Sequence, residues 1–154
     1  MRLRNDKNAK QIIENSKYII KNPEEFKGKW KDVFNNDNPI YIEIGMGKGD
    51  FIIGNAIKNK NINYIGIEMY DTVISKALKK ADDLEIDNLR FIRMDARLIE
   101  DVFFHEIDLI FLNFSDPWPK NRAAKKRLTH ERFLNRYESI FKNKKTIFMK
   151  TDNV

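Results

Sequence analysis

The chain contains no cysteine and only two histidines, His105 and His130. Without cysteine there is no disulfide framework and no thiolate metal site, and the composition fits a reducing compartment such as the cytosol. Two imidazoles make a zinc centre of histidines and carboxylates a poor candidate, so no metal is expected and both histidines read as ordinary surface or interface residues. Long apolar runs are missing as well. No stretch is long enough to span a bilayer, and nothing apolar follows the charged segment Met1 to Lys10, so it does not read as a signal peptide. Internal repeats and Gly/Ser-rich or Pro-rich linkers are also absent. The 154 residues are therefore expected to form one domain with its own hydrophobic core.

What is present fits an ordered globular protein, with 42% hydrophobic and 34% charged residues. The formal net charge of +6 suggests an anionic partner. The excess is concentrated. Lys120 to Arg136 holds seven Lys/Arg against the single acid Glu131, a net +6 that equals the excess of the whole chain.

Periodicity divides the chain into two parts. Asp6 to Phe34 reads as one or two helices, with Asn22 as N-cap and Pro23 in the first turn of the second. This is an N-terminal helical extension, residues 1–38, closed by a turn at Asn35 to Asn38. Residues 39–154 then alternate. Strands are expected at Pro39 to Ile44, Tyr64 to Glu68, Leu89 to Met94, Ile107 to Phe114 and Thr146 to Lys150. Helices are expected at Asp50 to Lys58, Thr72 to Leu84 and, capped by Thr129, Thr129 to Phe141. Alternating strands and helices predict right-handed βαβ units and an α/β, doubly wound parallel sheet. Ligands of such sheets lie beyond the carboxyl ends of the strands, at the switch point.

The residues after each strand are accordingly the informative ones. Strand one ends in Glu43-Ile44-Gly45-Met46-Gly47-Lys48-Gly49-Asp50. A dinucleotide fingerprint would place glycine where Asp50 stands. Glycine at Gly45, Gly47 and Gly49 is instead the pattern of methyltransferases that use S-adenosyl-L-methionine, although a plain strand-to-helix turn would use the same residues. Strand two ends in Glu68, where an acid accepts hydrogen bonds from ribose hydroxyls, and strand three is followed by Asp95, placed for an adenine amino group. Each acid alone could be a surface residue; the set of three strand ends is less accidental.

Strand four runs into Asn113-Phe114-Ser115-Asp116-Pro117-Trp118-Pro119-Lys120. Two prolines flanking Trp118 make a stiff loop that continues neither strand nor helix. Asp116 is then presented rigidly near the cofactor. A carboxylate there can accept from a guanine N1–H and its exocyclic amine; capping a nearby helix is the other reading. Trp118 could stack on a base or pack in the core. The basic residues Lys120, Arg122, Lys125, Lys126 and Arg127 follow at once, suited to an RNA backbone.

These segments, with Met1-Arg2-Leu3-Arg4, Asn22-Pro23-Glu24-Glu25, Lys126-Arg127-Leu128-Thr129 and Lys150-Thr151-Asp152-Asn153, occur in the order of one family pattern. The chain resembles the bacterial tRNA (guanine-N7)-methyltransferases over nearly its whole length, and the Ser-Asp-Pro-Trp-Pro-Lys segment is highly specific. The resemblance implies a Rossmann-like class I methyltransferase fold, S-adenosyl-L-methionine as cofactor, tRNA as partner, and the variable-loop guanine at position 46 as target. It implies that Glu43, Glu68, Asp95 and Asp116 contact the cofactor and that Asp116 is catalytic. It also implies that Lys120 and Asp152 bind substrate and that Arg122 to Arg127 contact tRNA. Two departures stand out. Ala123 occupies a place where the family has histidine. Family members also continue through a further helix, an antiparallel strand pair and a Thr-x-Tyr-Glu segment, so this chain reads as C-terminally shortened, with strand five an exposed edge.

Two rival readings follow from the residues alone. An NAD-dependent dehydrogenase would share the strand ends but lacks the third glycine and a hydride-transfer acid or base. An RNA-binding fragment with a cofactor pocket but no turnover would share the basic segment.

Overall fold

In the computed structural model, which describes residues 7–114 and 135–151, the β-branched and aromatic runs of the chain build one parallel sheet. Its strands are β1 (Ile40–Ile44), β2 (Asn63–Glu68), β3 (Leu89–Arg93), β4 (Leu109–Phe114) and β5 (Ile147–Thr151), in the order β3-β2-β1-β4-β5. The chain starts in the middle of the sheet, winds outward to β3, and returns to lay β4 beside β1. The switch point therefore lies between the carboxyl ends of β1 and β4. Register aligns those ends closely, with Ile44 opposite Ile67 on β2 and Leu112 on β4.

A parallel sheet must be covered on both faces, and the strands alternate their side chains accordingly. Ile40, Ile42, Ile44, Ile65, Ile67, Ile110 and Leu112 face a layer built from Trp30, Phe34, Phe103, Ile140 and Phe141. Tyr64, Leu89 and Phe91 face the other layer, where α3 (Asp50–Lys58) contributes Ile52, Ile53 and Ala56, and α4 (Asp71–Asp82) contributes Ile74, Ala77, Leu78 and Ala81. β2 is buried at every position, which is why it reads as a continuous apolar run and not as an alternating one.

The N-terminal part departs from the sequence expectation. α1 (Lys7–Asn15) is helical, but beyond it Ile19 forms a parallel bridge to Phe91 on β3. There Phe91 N donates to Tyr18 O at 2.8 Å, and Ile20 N donates to Phe91 O at 2.9 Å. These bonds occupy the outer edge of β3 at Phe91, where an unpaired strand edge is otherwise a liability for aggregation. The second predicted helix is split into a 3-10 turn, Pro23–Phe26, and the short α2 (Trp30–Phe34), with Gly28 at φ 78° between them. Asn22 makes no side-chain cap; its carbonyl accepts from Glu25 N at 3.1 Å. The donors at the start of α2 go instead to Glu106, distant in sequence, whose carboxylate accepts from Gly28 N, Trp30 N and Phe104 N at 2.7, 2.9 and 2.8 Å. A charged acceptor distant in sequence thus caps α2, where Lys29 makes no side-chain cap of its own.

The other end of the chain differs in its boundaries. Of the helix expected over Thr129 to Phe141, Thr129 to Leu134 fall outside the described residues; Asn135 and Arg136 are helical. The chain then tightens into a 3-10 turn, Glu138–Ile140, and Phe141 is extended and bridges Ile107. Tyr137, Ile140 and Phe141 are all buried, so the tightened turn serves the same apolar face that helical spacing suggested. β5 is the outermost strand among the described residues, and Phe148 and Met149 on it are 59% and 47% exposed.

Trp30 locks the N-terminal segment to the sheet. It is fully buried, its indole Nε1 donates to Val102 O at 2.7 Å, and its ring lies 5.6 Å from Phe26 and 5.2 Å from Phe103. Trp30→Phe should lower unfolding free energy by about 1–3 kcal/mol, because Val102 O is left buried without its donor. The effect should be read as a lower urea midpoint with an unchanged slope. Gly66 is tight for a packing reason: an added Cβ would overlap Met46 Sδ and stand 2.9 Å from Phe91 Cδ1. Gly66→Ala should destabilise by roughly 1–3 kcal/mol in the same assay, as overpacked cores do.

Candidate active site

β1 delivers the chain to Ile44, and the backbone then turns through Gly45, Gly47 and Gly49 at φ of 75°, 60° and 85°. Gly49 opens α3, and a Cβ there would lie 2.8 Å from Ala77 Cβ on α4, so only glycine permits both the left-handed backbone and the close approach of the helices. At the first turn residue, Gly45 N and Met46 N both donate to Ile67 O, at 3.0 and 3.1 Å, which ties the loop to β2. From α4, Lys80 Nζ donates to Lys48 O at 3.2 Å and pairs with Asp50 at 2.6 Å. Asp50, the residue that breaks the dinucleotide fingerprint, is thereby engaged in holding the loop.

Glu68 at the end of β2 is the main organiser. Its side chain is buried, and Oε1 accepts from Gly47 N at 3.0 Å while Oε2 accepts from Met69 N and Tyr70 N at 3.1 and 3.2 Å. One carboxylate thus fixes the glycine loop and the entry to α4 together. A carboxylate offers about four acceptor positions, so three backbone bonds leave one for a ligand hydroxyl. Glu43, one residue before the end of β1, is 1% exposed and lines the same cavity.

Asp95 follows β3 and caps the 3-10 turn Ala96–Asp101. Oδ1 accepts from Arg97 N at 2.9 Å, and Oδ2 accepts from Arg97 Nε and Nη2 at 3.0 and 2.7 Å. The Arg97 guanidinium, through these bonds, holds the Asp95 carboxyl below the usual carboxylate range.

These strand ends enclose a cavity of about 740 Å³, lined by Glu43, Gly45, Gly47, Glu68, Asp95 and Asn113 among others. Its size is that of a small-molecule site, roughly 300–1,000 Å³. All five residues expected at the ends of β1, β2 and β3 are brought to it. Asp116, Lys120, Arg122, Lys125, Lys126, Arg127 and Asp152 lie outside the described residues, as do Trp118, Ala123 and His130. Sequence reasoning did not single out Asn113, Met69, Tyr70, Lys80 or Arg97. Asn113, near the end of β4, lines the cavity and donates from Nδ2 to Gly45 O at 3.2 Å. Met69 and Tyr70 line it too, yet are 42% and 46% exposed. Their place directly after the strand-end acid Glu68 was visible in the sequence; their exposure was not. Among the described residues, no group of three or more His, Asp or Glu converges in a way that would hold a metal, and no helix is long and apolar enough to cross a membrane.

Comparison with known proteins places this geometry. The model of a family described as "Putative methyltransferase" matches residues 37–154, which include all five strands. The tRNA (guanine-N(7)-)-methyltransferase of Lachnoclostridium phytofermentans is 51% identical over 154 residues, covering 99% of this chain and 72% of that protein. The protein of the same name from Listeria monocytogenes is 53% identical over 155 residues, again covering 99% and 72%. Among solved structures, the antibiotic-resistance methyltransferase Kmr superposes with a TM-score of 0.65 at 15% identity, over 82% of this chain and 64% of that one. An antibiotic-related methyltransferase gives 0.62 at 21% identity, over 80% and 63%. At such identities the structures speak for the fold, a Rossmann-like class I methyltransferase sheet. The sequence relatives speak for the lineage: the chain belongs to the tRNA (guanine-N(7)-)-methyltransferase family.

Proposed function

We propose that this chain transfers a methyl group from S-adenosyl-L-methionine to N7 of a guanine in tRNA, the variable-loop guanine at position 46. The observation that carries the reading is the cavity at the ends of β1, β2 and β3, whose glycine loop is clamped by the buried Glu68 carboxylate. Its family and the names of its relatives supply the substrate class. The NAD-dependent reading is not favoured: Asp50, where that fingerprint needs glycine, is paired with Lys80.

The residues present fit the cofactor. Glycine backbone permits close approach on one side: a Cβ at Gly47 would meet no protein atom within 4 Å, so its absence leaves that space to a ligand. On the other side Glu68 retains an acceptor position for a ribose hydroxyl and Asp95 one for the adenine amino group. Glu43, Gly45 and Gly47 complete the wall. When bound, S-adenosyl-L-methionine supplies an electrophilic methyl on a sulfonium. The chain's own residues have to bind, orient and exclude water.

Guanine N7 carries a free lone pair in the neutral base, so no strong general base is required. Rate then rests on holding two reactants in one geometry, an effect that reaches roughly 7–11 kcal/mol in favourable cases. In this reading Asp116, two residues beyond the end of β4 at Phe114, accepts from the guanine N1–H and amine and lies against the cofactor. Lys120 and Asp152 bind substrate, and Arg122, Lys125, Lys126 and Arg127 contact the RNA backbone. Those contacts would offset the cost of unstacking the target base, on the order of a few kcal/mol. The chain acts as one methyltransferase domain, in the cytoplasm where tRNA is modified.

The first test is methyl transfer from labelled S-adenosyl-L-methionine to unmodified tRNA, followed by identification of the product nucleoside. N7-methylguanosine is the expected product, and another methylated nucleoside would overturn the assignment. Asp116→Ala should abolish transfer while leaving affinity for S-adenosylhomocysteine nearly intact; a large loss of that affinity would move its main role to cofactor binding. Glu68→Gln keeps the shape but replaces one acceptor with a donor, setting it against a backbone N–H. Loss of a hydrogen bond to a charged group costs about 1.5–3 kcal/mol. Calorimetry should therefore show S-adenosylhomocysteine binding weakened roughly 10- to 100-fold.

A further inference from the structure

Arg97 does not line the cavity, yet it is the residue most closely engaged with Asp95, which does. Its backbone N–H reaches Oδ1, and both side-chain donors fall on Oδ2. The carboxylate is therefore gripped at both oxygens and cannot rotate about its own axis. The grip is uneven. Oδ2 receives two hydrogens and Oδ1 only one, so the acceptor position that remains is on Oδ1. Arg136 Nη1 donates to Arg97 O at 3.3 Å, which steadies the turn from the far end of the basic segment.

We infer that Arg97 is a positioning residue for cofactor recognition: by locking Asp95 as an oriented acceptor, it makes the cavity select a 6-aminopurine over a 6-oxopurine. The inference rests on the proposed reading that Asp95 meets the adenine amino group. The chemistry is that of donor and acceptor. The adenine 6-amino group donates and matches a carboxylate lone pair, whereas the 6-oxo group of hypoxanthine accepts and opposes it. A carboxylate free to rotate holds its lone pair off the amino group part of the time, which weakens the bond to a 6-amino donor without offering the 6-oxo group any donor, so the distinction narrows. The paired guanidinium bonds to Oδ2 oppose that rotation. The Arg97 side chain is 73% exposed, so its pairing is expected to add little to fold stability. Its consequence is in the orientation of its partner.

The test is calorimetric titration of the full chain with S-adenosylhomocysteine and with S-inosylhomocysteine, its 6-oxo analogue. Arg97→Ala should weaken S-adenosylhomocysteine roughly three- to tenfold, as expected for one net hydrogen bond. It should leave S-inosylhomocysteine nearly unchanged, so the preference ratio falls. Arg97→Lys should recover only part of the ratio, because an ammonium lacks the paired, planar donors. Asp95→Ala separates the inference from its premise. If Asp95→Ala collapses the ratio and Arg97→Ala does not, Arg97 has no positioning role although Asp95 still reads the base. If Asp95→Ala leaves the ratio intact, the adenine assignment fails and the role of Arg97 with it. An equal loss of both ligands in Arg97→Ala would show a merely structural contact and also overturn the inference.

Discussion

The buried carboxylate of Glu68 is the interaction on which the cavity depends. It accepts three backbone N–H bonds from two segments that are otherwise held apart, Gly47 in the loop after β1 and Met69-Tyr70 at the entry to α4. Those donors are left over by the turns themselves, and burying them without a partner would cost on the order of 1–3 kcal/mol each. The carboxylate satisfies them and in turn has its own charge stabilised by hydrogen bonding. Loop, strand and helix therefore meet in one geometry, and the cavity is shaped before any ligand enters.

The same device recurs elsewhere. Glu106 gathers backbone donors from the distant Gly28 and Trp30 and from the nearby Phe104, Asp108 accepts from Ile40 N at 2.8 Å, and, at the cavity itself, Asp95 caps the turn it begins. Acids at element ends thus bind the N-terminal segment and the crossover connections to the sheet. Asn88 does the reverse: from its side-chain amide it donates to the carbonyls of Ala56, Asn59 and Ile62 at 3.0, 3.0 and 2.8 Å. Side chains reaching across sequence satisfy backbone groups at both ends of the parallel sheet, whose described strands are joined by crossovers.

Charge is divided along similar lines. Acids line the ligand edge of the sheet at Glu43, Glu68 and Asp95, whereas the excess of positive charge falls in the single segment Lys120 to Arg136. In the proposed reading the acids face a cationic sulfonium cofactor with donor groups, and the basic segment faces an RNA backbone. The long reach of phosphate attraction favours a concentrated basic segment over a scattered one.

The sequence by itself determined the class of the sheet, the placement of its five strands and three of the acids at its edge. The reason is that these depend on local periodicity: β-branched runs that need burial, glycines that permit a turn, and charges that must stop at a strand end. It also marked the family, because the segment Ser115-Asp116-Pro117-Trp118-Pro119-Lys120 is specific to it. What only the tertiary structure decided is who partners whom. Nothing near Trp30 announces that Glu106 would cap α2, or that Ile19 would bridge Phe91 on β3. Nor does the spacing of Asp95 and Arg97 reveal a locked carboxylate until the turn between them has formed. Such contacts join residues far apart in the chain or rest on a backbone shape that packing imposes, and periodicity contains no information about either.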